Sequence, residues 1–243
     1  MKRIMILAAL ATMAVSCNFV RVKEGALDKL MNNNVVVGAI GYEETVTASD
    51  STVTRTYQVG TFSEIECNGA AEIYYTAADS CSLEITLPEN LVDVLKVTVD
   101  GDELCIGFKK TVKFNGQKVL VKVTSPIINS LDVSGAVRFV ADTPIAADDF
   151  NAEVSGAAEF SINGIVAKEV EFDVSGAVDG EIGGIECKEL VAEISGASSL
   201  KMIGSAEKGY LSISGAGVID ARGLVCPDMR TDVSGAGKIK TAK

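Results

Sequence analysis

From Leu131 onward apolar and polar residues alternate, and glycine punctuates the alternation at a fixed interval. The pentapeptide Asp132-Val133-Ser134-Gly135-Ala136 recurs as Glu153–Ala157, Asp173–Ala177, Glu193–Ala197, Ser212–Ala216 and Asp232–Ala236. Its central glycines are Gly135, Gly156, Gly176, Gly196, Gly215 and Gly235, at spacings of 21, 20, 20, 19 and 20 residues. Four residues after each glycine stand Phe139, Phe160, Gly180, Leu200, Ile219 and Ile239, and six after stand Ala141, Ile162, Ile182, Met202, Ala221 and Thr241. Three after stand Arg138, Glu159, Asp179, Ser199, Val218 and Lys238. One side of each segment therefore faces inward and the other outward, as a half-buried strand requires. Eight after, a second glycine column reads Gly164, Gly184, Gly204 and Gly223.

Each repeat thus predicts a short strand, a glycine corner, a second strand and another glycine corner. About 20 residues is too short for a βαβ unit and suits one coil of a parallel β-helix, a solenoid whose coils stack at about 4.8 Å. Glycine at the corners supplies backbone angles that β-branched residues cannot adopt. Six regular coils over 131–243 predict a rod of roughly 29 Å at that spacing.

Upstream, Val92–Val99, Asp100-Gly101 and Glu103–Phe108 read as a hairpin. Val112–Phe114, Asn115-Gly116 and Val119–Val123 read as another. Nothing shows a convincing helical period, so the chain is all-β. Glu66-Cys67-Asn68-Gly69-Ala70-Ala71-Glu72-Ile73 echoes Glu153-Val154-Ser155-Gly156-Ala157-Ala158-Glu159-Phe160. Residues 70–128 are then either degenerate coils of the same helix or a separate β-cap, and the sequence leaves both open.

The N-terminus carries a different pattern. Met1-Lys2-Arg3 precedes an apolar run from Ile4 to Val15 and then Ser16-Cys17. A basic start, a short apolar stretch and a small residue before cysteine predict a signal peptide over 1–16, since about 20 residues are needed to span a bilayer. Ala14-Val15-Ser16-Cys17 resembles a bacterial lipobox, with Ala14 where leucine is usual. Cys17 is the expected lipid attachment site, and the lipid would be the anchor. Residue 18 is Asn rather than the Asp that resembles an inner-membrane retention signal, which favours an outer-membrane lipoprotein of the cell envelope. Residues 17–51 are expected to form the lipidated N-terminus and a tether, with the run Val35–Ile40 docking on the head, and 52–243 to form the head.

Composition narrows the chemistry. The 243 residues carry a formal charge of −11, which disfavours nucleic acid and anionic headgroups. There is no histidine, so the commonest general base and zinc ligand are missing, and there is no tryptophan to stack on sugars.

The acids at the repeat's first position form a column of Asp132, Glu153, Asp173 and Glu193, interrupted by Ser212 and resumed by Asp232. Asp132, Glu153, Asp173 and Glu193 are the only metal candidates, as a calcium ladder. A solvated outer face explains them better, because carboxylates 4.8 Å apart in water repel by only ~0.9 kcal/mol and the calcium-binding nonapeptide is missing.

The serines from Ser134 to Ser234 have no neighbouring base and read as hydroxyl ladders rather than nucleophiles. Ser198-Ser199-Leu200-Lys201 and Ser205-Ala206-Glu207-Lys208 match Ser-x-x-Lys without its companion motifs. Beyond Cys17 stand Cys67, Cys81, Cys105, Cys187 and Cys226, an odd number with no CxxC. Free buried thiols are expected, with Cys67–Cys81 the one pair worth testing for a disulfide. No catalytic residue and no cofactor are predicted.

The opening Phe62-Ser63-Glu64-Ile65-Glu66-Cys67-Asn68-Gly69, the Pro126 before the first full repeat and the run of Val-Ser-Gly-Ala coils resemble the auto-transporter adhesin head GIN domain family of secreted bacterial lipoproteins. The resemblance covers roughly residues 52–243. It implies a right-handed parallel β-helix and an adhesive or surface-binding role, and carries no catalytic residues. The leading expectation is a non-catalytic, lipid-anchored envelope protein with a glycan or protein ligand. A polysaccharide lyase or hydrolase is the alternative from another class, but Arg138, Arg222 and Arg230 fall in different columns. A structural envelope protein that assembles through its solenoid ends is the third, since the last repeat ends in an uncapped strand with Lys238, Lys240 and Lys243.

Overall fold

The computed structural model describes residues 36–37 and 44–242. Cys17 and the signal segment lie outside them. The first half contains β1 (Val36–Val37), β2 (Thr45–Thr47), β3 (Thr52–Tyr57), β4 (Glu64–Ala77) and β5 (Ser82–Pro88). A single 3-10 turn follows, then β6 (Leu95–Asp100), β7 (Glu103–Phe108), β8 (Thr111–Lys113) and β9 (Leu120–Ser125). The repeat half contains β10 (Ser130–Ala141), β11 (Ile145–Ala146), β12 (Asp149–Val154), β13 (Ala157–Ile162), β14 (Ile165–Val166) and β15 (Glu169–Val174). It closes with β16 (Ala177–Ile194), β17 (Ala197–Val225), β18 (Asp228–Gly235) and β19 (Lys238–Thr241).

The first strand of each repeat pairs in parallel with its equivalent in the next, so Val133, Val154, Val174, Ile194, Ile213 and Val233 stand in one row. Apolar rows face inward because burying them is the main favourable term in folding. Phe139, Phe150, Phe160 and Phe172 are buried, and Phe160 meets Phe139 and Phe172 edge-on at 6.5 and 6.4 Å. Gly180, in the inward row of Phe139 and Phe160, leaves its layer without a side chain at the height where Phe172 reaches Phe160.

The expected right-handed parallel β-helix is corrected by the pairing. β10 runs through Gly135 without a break, so its first half pairs β12 and its second half β13. β12 leads to β15, and β15 and β13 both lead to β16. These five parallel strands close a ring, and the fold is an all-β closed parallel barrel carrying extra strands. The second glycine column stacks in its first two members, Gly164 and Gly184, and then slips, because Gly204 pairs with Ile185 after a register shift beyond Ile182. That shift accompanies the single spacing of 19.

The echo at Gly69 is a true repeat. β4 lies parallel to β10 over Glu64–Tyr75, with Gly69 opposite Gly135. The other edge of β4 pairs β7 and β9, and these lead to the antiparallel pairs β6–β7, β5–β9 and β3–β5. Residues 70–128 therefore combine features of both readings left open: β7 and β9 continue the parallel stack on β4, and β5 and β6 are laid antiparallel on those two strands. The Asp100-Gly101 hairpin forms as expected, with Gly101 at φ +60°. The Asn115-Gly116 hairpin does not. β8 pairs β1 and β2, while β9 is taken by β4 and β5.

At the corners, a Cβ on Gly156 would lie 2.2 Å from the Gly135 carbonyl oxygen, and one on Gly176 1.9 Å from that of Gly156. The close approach of stacked backbones, more than an unusual φ, demands glycine there. A different intolerance shapes Ser198, which is 4% exposed with no partner for its hydroxyl and whose Oγ would lie 2.3 Å from a Cβ on Gly217. Ser198→Ala should therefore raise stability by about 1 kcal/mol, seen as a higher denaturation midpoint at unchanged slope.

Candidate functional site

The outward side of the first strand of each repeat is built from acids. Pairing sets Glu66 against Asp132, Asp132 against Glu153, Glu153 against Asp173, and Asp173 against Glu193. Ser212 and Asp232 continue the column. Four residues earlier on the same side, Asp149, Glu169 and Glu189 form a second acidic column, and Glu171 stands in the row between the two columns. Glu64 and Glu103 lie in the Glu171 row, on β4 and β7. On this side of the sheet the outward positions from β7 to Glu193 hold no lysine or arginine, and bases flank their edge: Lys168 pairs with Asp148 at 3.0 Å beside Asp149, and Lys208 is the ladder partner of Glu189. Two hollows open on this side. One is lined by Asp149, Phe150, Asn151, Glu169, Glu171 and Glu189, the other by Asn68, Asp132, Ser134, Glu153 and Asp173.

The next side of the barrel neutralises itself. Lys118 reaches Glu72 at 2.6 Å, Arg138 reaches Glu159 at 2.5 Å, and Lys201 reaches Glu181 at 2.9 Å. Arg222 pairs with Asp220 at 2.5 Å, and its hydrogen bond brings that carboxyl down to about 2. Acidic charge is thus concentrated on one side.

The crowding is felt at Asp132, whose pKa is raised by partial burial and then by the charges of Glu153, Glu66 and Glu103. Glu66, Glu103 and Cys105 bring their ligand atoms within 4.8 Å of one another, the group among the described residues able to gather on a metal. The Cys105 thiol is nevertheless pushed up to about 12 by burial and by hydrogen bonds to Glu66 and Glu103. A metal would have to displace that proton. The predicted members Asp132, Glu153, Asp173 and Glu193 stand in register, one carboxylate per strand, outside that group.

Sequence reasoning missed Glu66, Glu103 and Cys105. Glu66 was findable by extending the acidic column into the Gly69 echo. Glu103 and Cys105 carry no repeat motif. Cys67, Cys81, Cys105, Cys187 and Cys226 are all free. Cys67 is fully buried, and desolvation raises its pKa to about 12. Cys81 instead donates to the Phe62 carbonyl oxygen at 3.6 Å. The serine column makes backbone links as well as side-chain ones. Ser134 donates to Asn68, and the Ser175 hydroxyl to the Val154 carbonyl oxygen at 3.4 Å.

Two stability measurements follow from this geometry. Glu72 is 4% exposed and without Lys118 would keep the Tyr74 hydroxyl at 3.2 Å and Arg138 on the neighbouring strand, so Lys118→Ala should cost about 1–2 kcal/mol in chemical denaturation. Asp132 has a raised pKa in the folded state, so it binds its proton more tightly folded than unfolded. Acidification relieves its repulsion, and that relief is lost as pH rises through the folded-state value. Asp132→Asn should gain a few tenths of a kcal/mol, roughly, at neutral pH and low salt, and the gain should vanish on acidification below the ordinary aspartate range.

Comparison with known proteins agrees with this architecture. A crystal structure named as a putative adhesin from Parabacteroides distasonis has a TM-score of 0.73 at 24% identity, covering 81% of this chain and 84% of its own. Another putative adhesin, from Bacteroides fragilis, has a TM-score of 0.65 at 20% identity over 81% of this chain and 99% of its own. A structure named as a putative lipid binding protein from Parabacteroides distasonis has a TM-score of 0.64 at 18% identity over 82% of this chain and 100% of its own. At these identities the likeness establishes the fold. No curated protein matches the chain. The family model described as "Putative auto-transporter adhesin, head GIN domain" matches residues 61–184 and 178–242, so this chain belongs to that family.

Proposed function

We propose that this is a non-catalytic, adhesin-like binding module of the cell envelope whose contact surface is the acidic side of the barrel. The observation that carries the reading is the segregation of charge. Carboxylates from consecutive strands stack in the Glu66–Glu193 column with no base in that column, bases standing only at its flank (Lys168, Lys208), while the adjacent side pairs its own charges. A broad surface of one sign favours long-range attraction of an oppositely charged ligand. The ligand chemistry this suits is cationic, as in an amine-bearing glycan or a basic protein segment. Export through the signal segment 1–16 and attachment through Cys17 at the outer membrane complete the proposal. No helix among the described residues is long and apolar enough to cross a membrane.

Binding of an oligolysine probe and an amine-bearing polysaccharide, each against a neutral counterpart, tests the reading. Binding should weaken steeply with salt, and the triple variant Glu153→Gln, Asp173→Asn, Glu193→Gln should reduce it at least tenfold. Equal binding of the neutral counterparts, indifference to the triple variant, or turnover of the polysaccharide would overturn it.

A further inference from the structure

The rows that fill the interior are covered at one end of the barrel and open at the other. Val133, Val154, Val174, Ile194 and Ile213 are 0–2% exposed, whereas Val233, next in the same row, is 43% exposed. Thr231, below the fully buried Leu211, is likewise exposed. The outer edge of β18 pairs with no described residue, so its N–H and C=O groups face outward unpaired. At the opposite end the antiparallel strands β3 and β6 lie over β5 and β7, and Leu91 and Leu95 are buried. Among the described residues, only the β18 end offers a strand edge with an uncovered core beside it.

We infer that β18 is the self-association edge of this protein, pairing antiparallel with β18 of a second copy about a two-fold axis at Thr231. An unpaired edge is a template for another strand, and a self-complementary one closes as a two-fold dimer. Centred on Thr231, the pairing sets Met229 opposite the partner's Val233 on the inward side. On the outward side it sets Arg230 opposite the partner's Asp232. Each contact occurs twice, so both charge and apolar surface match. Arg230 now reaches only Asp228 of its own strand, at 4.0 Å, with its side chain 79% exposed, and is available to a partner. β19 is unsuited to the same pairing, because Lys238 and Lys240 on its outward side would meet like charge in an equivalent arrangement. A head-to-tail arrangement lacks an open core at the other end to receive β18.

Light scattering of the purified chain over a concentration series tests the inference. A mass twice that of the chain is expected. Arg230→Asp should shift the monomer–dimer midpoint at least tenfold toward monomer, and the double variant Arg230→Asp, Asp232→Arg should restore it. A second variant reads the register directly. Paired strands place opposed Cα atoms about 4.5–5.5 Å apart, within disulfide reach. Thr231→Cys should therefore form a covalent dimer under mild oxidation, and the native cysteines should not. A monomer at all concentrations, open-ended polymers, a dimer indifferent to Arg230→Asp, or no cross-link through Thr231→Cys would overturn the inference.

Discussion

Glycine stacked on glycine is the constraint on which the rest of this structure depends. At the Ser-Gly-Ala corner each backbone passes so close to the next that a Cβ would lie 1.9–2.7 Å from the neighbouring glycine's carbonyl oxygen. That closeness lets strands such as β10 turn the corner without losing their ladder and pair on two sides at once. The closed ring follows from it. So does the strict register, because a side chain at the corner in any one repeat would force that repeat away from its neighbour and open the apolar rows beneath.

Strict register has an electrostatic consequence. When equivalent residues stack, a sequence preference at one position becomes a column of one sign. An acid at the first position of the repeat is harmless in one strand and becomes an acidic surface in five. Three residues beyond the glycine the same stacking alternates sign between Arg138 and Glu159, and that side is neutralised. Repetition thus builds both a rigid frame and a charged surface from one short motif.

Much of this was legible in the sequence because the repeat is nearly identical from copy to copy. The inward rows, the acidic column and the recurrence at Gly69 could be read from spacing alone. Ring closure could not. It depends on whether a strand breaks at its corner, and the sequence around Gly135 reads the same in either case. The order of the first half was also hidden. β4 pairs with β10, 66 residues away by the spacing of Gly69 and Gly135, with antiparallel strands between them. No local pattern reports a pairing that distant. The Asn115-Gly116 turn shows the reverse failure, since a sound turn signal lost to partners that β8 and β9 found elsewhere. At the site, Glu103 and Cys105 escaped notice because they reach the acidic column through that non-repetitive half.

Backbone approach at the corners holds the repeats in register, and an alanine scan of the glycine column measures it directly. Clearance at the added Cβ is 1.9 Å at Gly176, 2.2 Å at Gly156 and 2.4 Å at Gly215, the first two without a positive φ and the third at an almost extended +158°. Loss of stability should follow that order, with Gly176→Ala costing about 3 kcal/mol and Gly215→Ala the least of the three. Losses that are small throughout, or that do not track the clearance, would contradict it.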